Sequence, residues 1–170
     1  MGWTVRRATP DVAPAVRDVA RESWHAAYDD VLGRRTVAAT IERWYDVTKL
    51  RDSIVEARNR NDAVFLVAAD EDDGEIVGFA QAGPHREHST VASLYRLYVH
   101  PDRWGEGIGT ALLERLEDDL STEYDRLWLA VLADNDVGVS FYESTGFERV
   151  GTQESDLKAG LEEYVYEKQL

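Results

Sequence analysis

Gly105, Gly107 and Gly109 alternate with Glu106 and Ile108, which clears three side chains from one short stretch of backbone. Bare N–H groups at a helix start, backed by the positive end of its dipole, hold phosphate oxygens, and residues without a Cβ let the phosphates come close. Each such glycine costs stability unless a close approach needs it. A second pair, Asn135 and Tyr142, stands seven residues apart, two helical turns, so both side chains can address one extended ligand. The plainer roles are a helix N-cap for Asn135 and a packed aromatic for Tyr142, as for Phe141. Trp24 and Tyr28 lie one turn apart and project together, with His25 beside them; core packing is the plainer reading here too. His85 and His88, three apart after Pro84, read as solvated side chains rather than metal ligands. There is no cysteine, which removes disulfides, a thiol nucleophile and a thiolate metal site.

The elements around the glycines follow from pattern. Val91 to Val99 is rich in β-branched and aromatic residues and reads as a half-buried strand. His100-Pro101-Asp102 then breaks it, because Pro101 has no N–H and pushes His100 away from the α region. From Ile108 on, Leu112, Leu116 and Leu120 recur every four residues, with Glu114, Glu117 and Asp118 elsewhere on the wheel, which marks an amphipathic helix. Spacing separates the phosphate loops that use this arrangement. A Walker loop needs Lys and then Ser or Thr after its last glycine, whereas Gly109 is followed by Thr110 and Ala111. A dinucleotide fingerprint needs G-x-G-x-x-G directly after its strand. Here the glycines run G-x-G-x-G and a gap of five residues separates them from Val99, although Asp125 sits at the offset of the ribose acid.

The stretch LYVHPDRWGEGIGTALL resembles the acetyl-CoA loop of the GNAT N-acetyltransferase superfamily, whose pattern is Gln/Arg-x-x-Gly-x-Gly/Ala between a strand and a helix. Trp104, Gly105, Glu106, Gly107, Ile108 and Gly109 occupy those six positions, with Thr110 next. Trp104 departs from the pattern, and Arg103 is the neighbour that could replace its pyrophosphate contact. The segment from Asn135 through Tyr142 to Phe147 carries the family's other motif. The resemblance implies that Asn135 touches the pantetheine arm and that Tyr142 lies beside the thioester sulfur as proton donor. It also implies that the strand carrying Leu97, Tyr98 and Val99 splays from its neighbour so that pantetheine pairs with it, the N–H of Leu97 or Tyr98 meeting the thioester carbonyl. Trp24, His25 and Tyr28 fall where the family walls its acceptor pocket.

Acyl transfer to an amine needs a neutral nitrogen, stabilisation of an oxyanion and a proton for the thiolate. Relatives often carry Glu on the strand, yet Val91 to Val99 contains no acid, which leaves Glu22, His25 or Glu87 acting through water. Reaching the neutral form at pH 7 costs about 4.6 kcal/mol for a lysine-like amine and about 1 kcal/mol for an α-amine. The absence tilts toward a weakly basic acceptor.

Along the chain the pattern gives a strand over Trp3 to Arg7, a helix set up by Thr9-Pro10-Asp11, and one or two helices over Val37 to Arg58 with Ile41, Trp44, Leu50 and Ile54 inward. Strands over Ala63 to Ala69 and Glu75 to Ala82 flank an Asp72-Asp73-Gly74 turn, and a fifth strand covers Arg126 to Leu132. A short helix capped by Asp134-Asn135-Asp136 and closed at Gly146 follows, then strands from Phe147 to Val150 and from Glu162 to Lys168. The expected fold is therefore α/β of the α+β kind: a mixed, mostly antiparallel sheet of six to seven strands with four to five helices, in the GNAT order across residues 1–170. The expected activity is transfer of acetyl from acetyl-CoA to a primary amine, on a small-molecule or peptide acceptor, by direct attack. The alternatives are a non-catalytic acyl-CoA sensor on this scaffold and a Rossmann-like dinucleotide binder. The resemblance also allows a homodimer.

One hundred and seventy residues with 44% hydrophobic content suit one domain with a full core. No apolar run approaches the roughly 20 residues needed to span a bilayer, and MGWTVRRATP lacks a signal peptide's apolar segment, so a cytoplasmic protein without membrane contact is expected. The net charge is −14, and the only lysines are Lys49, Lys158 and Lys168. This balance argues against nucleic acid and resembles proteins of salt-loving archaea, because self-repulsion at low salt is screened as the Debye length falls to about 3 Å near 1 M. A basic partner is the alternative, but the acids are spread along the chain rather than gathered in a tail. The melting temperature is expected to climb between about 0.1 M and about 2 M KCl, most steeply at the low end. A series of thermal melts checks this, and a flat or falling curve favours the basic partner.

Overall fold

In the computed structural model, which describes residues 2–170, the chain runs β1 (Trp3–Arg7), α1 (Ala13–Leu32), α2 (Arg34–Trp44), α3 (Val47–Arg58), β2 (Val64–Asp70), β3 (Ile76–Pro84), β4 (Val91–Val99), α4 (Ile108–Leu120), β5 (Arg126–Leu132), α5 (Asp136–Ser144), β6 (Glu148–Glu154) and β7 (Glu162–Gln169). Short 3-10 turns at Pro10–Val12 and Pro101–Arg103 lead into α1 and away from β4. Boundaries follow local chemistry. Gly33, at φ +88°, ends α1 and opens α2, a conformation that other residues avoid. The Asp46 carboxylate accepts from the Lys49 N–H at 3.1 Å and caps α3. Asn135 does the same for α5, accepting from the Gly138 N–H at 3.0 Å.

All seven strands share one sheet in the order β1-β2-β3-β4-β5-β7-β6. The first four form an antiparallel meander, and β5, β7 and β6 pair antiparallel in turn. Only β4 and β5 are parallel, joined by α4, and they pair only where Val91–Ser93 meets Arg126–Trp128. The mixed, mostly antiparallel sheet with five α-helices is the expected architecture. β4, α4 and β5 have the bounds that the sequence pattern predicts, while β2 and β3 shift by one or two residues and β6 extends to Glu154.

Alternation along the strands fills two cores. Phe65, Val67 and Phe79 meet Val16, Ala20, Trp24, Ile41 and Ile54 on the face covered by α1, α2 and α3. Val64, Leu66, Ala80 and Leu94 meet Ile108, Leu112, Leu116 and Leu120 of α4 on the other. Gly78 of β3 seats α4, since a Cβ there would stand 3.2 Å from Ile108, Leu112 and the Tyr98 carbonyl. That approach brings the first turn of α4 close to the parallel junction. Trp44, expected inward, is instead 39% exposed at the end of α2, where the helix passes beyond the core. No helix among the described residues is long and apolar enough to cross a membrane.

Candidate active site at the sheet fork

Beyond Ser93 and Trp128, β4 and β5 stop pairing and diverge, while β4 stays bonded to β3 as far as Val99. The His100 N–H donates to the Val77 carbonyl at 2.8 Å. Because main-chain groups alternate along a strand, this places the N–H and C=O of Tyr98 and Arg96 toward β3, and those of Leu97 and Val99 toward the fork. Of the two donors considered from the sequence, Leu97 faces the fork and Tyr98 does not. A bulge sets this phase: Gln81 pairs with Arg96 and Ala82 with Leu94, leaving Tyr95 as the extra residue. The Tyr95 ring covers Gly83, where a Cβ would stand 3.0 Å away, and its hydroxyl donates to the Pro84 carbonyl at 2.7 Å.

The glycine turn closes one end of the fork. Gly105 and Gly107 have φ of +83° and +89°, and Gly107 caps α4 in the left-handed region. The Ala111 N–H bonds back to the Gly107 carbonyl at 3.1 Å, so the N–H groups of Ile108, Gly109 and Thr110 come before the first helical bond. A Cβ on Gly105 would meet nothing within 4 Å, and one on Gly107 only the Trp3 ring at 4.0 Å, so the space over the turn is open. This cradle fits a diphosphate. Gly109 serves a different need: a Cβ there would lie 3.2 Å from the Phe141 ring, so its bareness lets α4 and α5 touch.

Arg103 does not offer a free charge to the loop. Its Nε pairs with Glu106 at 2.9 Å and a terminal nitrogen with Asp70 at 2.8 Å, which braces the turn against the end of β2. Arg103 lines the cavity but is shared between two carboxylates, and Glu106 acts with it as part of the brace. Trp104 folds back so that its indole N–H donates to the Val99 carbonyl at 2.8 Å, at the mouth of the fork.

A cavity of about 560 Å³ runs from this turn along the fork to α1 and the end of α2. Trp24, Tyr28, Trp44, Tyr45 and Tyr98 line its far end, with the Trp24 ring 4.7 Å from Tyr28 and 5.8 Å from Trp44. Asn135 uses both ends of its amide inside the protein, since its Nδ2 donates to the Tyr28 hydroxyl at 3.0 Å while its oxygen caps α5. The Tyr28 and Tyr98 hydroxyls are 3.5 Å apart. Tyr142 is 8% exposed and lines the cavity, and its hydroxyl has no hydrogen-bond partner among the described residues. Burial, and then the nearby Tyr28, push the Tyr142 phenol upward from its ordinary value, so it is protonated at neutral pH.

His25 is not in this wall: its Nδ1 is held by Asp29 at 2.6 Å along α1. Several lining residues carry no motif in the sequence, among them Trp44, Asp156 and Glu163. Trp44 was assigned to the core, and the carboxylates Asp156 and Glu163 come from the loop after β6 and from β7, far along the chain from either motif. His85 and His88 stack on each other, with His85 against Trp128, and no group of three or more metal-type side chains occurs among the described residues.

Gly107→Val puts a branched side chain at a left-handed position over the open cradle. Restoring the turn on binding at a cost of about 1–3 kcal/mol lowers the affinity for coenzyme A, the ligand that the resemblance implies, by about 5- to 150-fold. Calorimetric titration of a variant with a native circular dichroism spectrum checks this, and unchanged affinity overturns the assignment of the turn.

The Acetyltransferase (GNAT) family model matches residues 15–147. Spermidine N(1)-acetyltransferase of Thermoplasma acidophilum is 29% identical over 157 residues, which cover 92% of this chain and 94% of that protein. Among solved structures, the PaiA N-acetyltransferase of Thermoplasma acidophilum in complex with coenzyme A superimposes with a TM-score of 0.89 at 27% identity, covering 100% of both chains. A ribosomal-protein-alanine N-acetyltransferase from Brucella melitensis superimposes with a TM-score of 0.73 at 25% identity, over 98% of this chain and 99% of that one. The matched residues span α1 to the end of α5, the same stretch that builds the fork, the glycine turn and the Asn135–Tyr142 helix. The chain thus belongs to the GNAT acetyltransferase family, an enzyme that takes acetyl from acetyl-CoA and passes it to an amine.

Proposed function

We propose that the acceptor is an aliphatic polyamine of the spermidine type and that Tyr142 serves the departing sulfur. The observation that carries the acceptor reading is the aromatic far end of the cavity. Trp24, Tyr28 and Trp44 line one space, and aromatic rings attract alkylammonium groups and pack against the methylenes between them. The likeness to a spermidine acetyltransferase over 92% of this chain supports the same reading, against the weakly basic acceptor to which the acid-free strand tilts. Turnover of acetyl-CoA with spermidine, set against an α-amino peptide, tests it: preference for the peptide overturns the polyamine reading.

The roles of the fork residues follow. The first-turn N–H groups of α4 hold the diphosphate, and the Leu97 N–H, aimed into the fork, donates to the thioester oxygen as negative charge develops there. Asn135 orients Tyr28, whose hydroxyl accepts from it and keeps its own proton for a ligand or Tyr98. Tyr142 holds a hydrogen bond to the sulfur as the carbon–sulfur bond breaks. A phenol pushed upward by burial is a weak acid, so it acts by stabilising the thiolate, and the proton that the acceptor nitrogen sheds completes the thiol. The charge of −14 along the whole chain supports a cytoplasm of high salt as the setting, and the single seven-stranded sheet supports residues 1–170 as one domain.

Tyr142→Phe keeps the ring and its packing against Phe141 and Phe147. Its kcat at saturating acetyl-CoA is expected to fall toward the low end of about 10²- to 10⁴-fold, because a thiolate near pKa 8.5 is already a fair leaving group, with coenzyme A affinity unchanged. A kcat within about twofold of the wild type, with chemistry rate-limiting, assigns Tyr142 to packing.

A further inference from the structure

We propose that Glu163 is the acceptor's charge anchor, holding an ammonium that is not acetylated while the reacting amine of the same molecule enters the fork. The inference rests on the polyamine reading and names the residue that would select for it. Glu163 lies opposite Leu132 in the β5–β7 ladder, and Leu132 belongs to the core beneath α1. The carboxylate therefore projects on the face of the sheet where Trp24 and Tyr28 stand, and it lines the same cavity. Its Oε1 accepts from the Gln153 amide of β6 at 3.0 Å, which fixes its direction. The other oxygen has no partner among the described residues, and no Lys, Arg or His there lies within ion-pair distance. Its negative charge reaches Tyr28, where it adds to burial in pushing that phenol upward.

The other charges along the cavity are differently placed. Arg96 stacks on the Tyr45 ring at 4.6 Å, donates to the Trp44 carbonyl at 3.3 Å and has no carboxylate partner among the described residues, so its positive charge stays at the Tyr45 side of the wall. Arg103 is shared between Asp70 and Glu106. Asp156 is exposed at the rim. Glu163 is thus the half-buried carboxylate whose charge stays uncompensated at the acceptor end. A cation there gains a charge-assisted hydrogen bond in partly dried surroundings, with aromatic rings beside it for the methylenes. An acceptor with one amine and an apolar tail cannot use Glu163, so the carboxylate separates diamines from monoamines of equal length.

The test compares putrescine with butylamine on the full-length protein at saturating acetyl-CoA, for the wild type, Glu163→Gln and Gln153→Ala. Loss of a charge-assisted bond predicts a rise of about tenfold or more in KM for putrescine with Glu163→Gln, and kcat and the KM for butylamine within about twofold. Gln153→Ala, which frees the carboxylate to turn, raises the putrescine KM alone by a smaller factor. A wild type that does not prefer putrescine overturns the polyamine reading and the anchor with it. A wild type that prefers putrescine, with a Glu163→Gln variant that keeps the preference, overturns the anchor and leaves the acceptor reading standing. A kcat loss common to both amines also overturns it, because that result makes Glu163 a proton acceptor. Should Glu163→Gln melt far below the wild type, the Gln153→Ala comparison decides, and equal KM values there overturn the anchor.

Discussion

The constraint on which the molecule turns is that β4 and β5 pair only between Val91–Ser93 and Arg126–Trp128 and then part. Main-chain polar groups inside a protein need partners, and a parallel pair that opens leaves two facing rows of them. On the β4 side these are the groups of Leu97 and the N–H of Val99, whose carbonyl takes the Trp104 indole, since Tyr98 and Arg96 are committed to β3. An extended ligand with amides of its own can fill such a gap as an added strand does. The remaining elements hold that gap open and give it ends. α4 fits tightly over Gly78 and brings its bare first turn to one end, while α1 and α2 roof the other with aromatic rings.

Holding a polyanion is an unusual demand on a chain that carries −14 of its own. The glycine turn meets it without surplus cations. Partial positive charge from oriented N–H groups is local and short in range, so it acts on a phosphate already in contact and adds nothing to the net charge. Arg103, the cation nearest the turn, is neutralised by Asp70 and Glu106 and contributes rigidity. The result is a phosphate site whose contacts depend less on long-range attraction than a cluster of lysines would, and therefore less on ionic strength.

Much of this arrangement was legible from residue order. The run from Val91 to Val99, the four-residue leucine repeat after Ile108 and the apolar stretch from Arg126 to Leu132 each state their structure locally, and those three elements have the predicted bounds. Asn135 was legible as a cap for the same reason: its partner is the Gly138 N–H, three residues away. What stayed hidden depends on contacts between distant segments. The sequence offers Gly109 as a phosphate glycine, yet its missing Cβ is explained by Phe141 on another helix. Arg103 reads as a free cation until Asp70 is brought beside it, and His25 reads as a pocket residue until Asp29 draws its ring along α1. Glu163 sits in an ordinary alternating strand, and only the sheet order, which inserts β7 between β5 and β6, carries it to the cavity.

The bulge at Tyr95 fixes the parity of everything downstream in β4. Leu94 and Leu97 both belong to the core beneath α4 although they are three positions apart, which strict alternation forbids. The extra residue thus acts as a phase shifter between the two halves of one strand. If Tyr95 is instead drawn into the ladder opposite Gln81, β3 and β4 still zip together without interruption, with every later residue of β4 moved one place along β3. The far half is then inverted: Tyr98 is driven into the α4 core, Leu97 and Val99 are turned toward the aromatic roof, and the groups bordering the fork come from the wrong residues. The ladder tolerates that error and the site does not, so in this strand frame is a stricter requirement than composition.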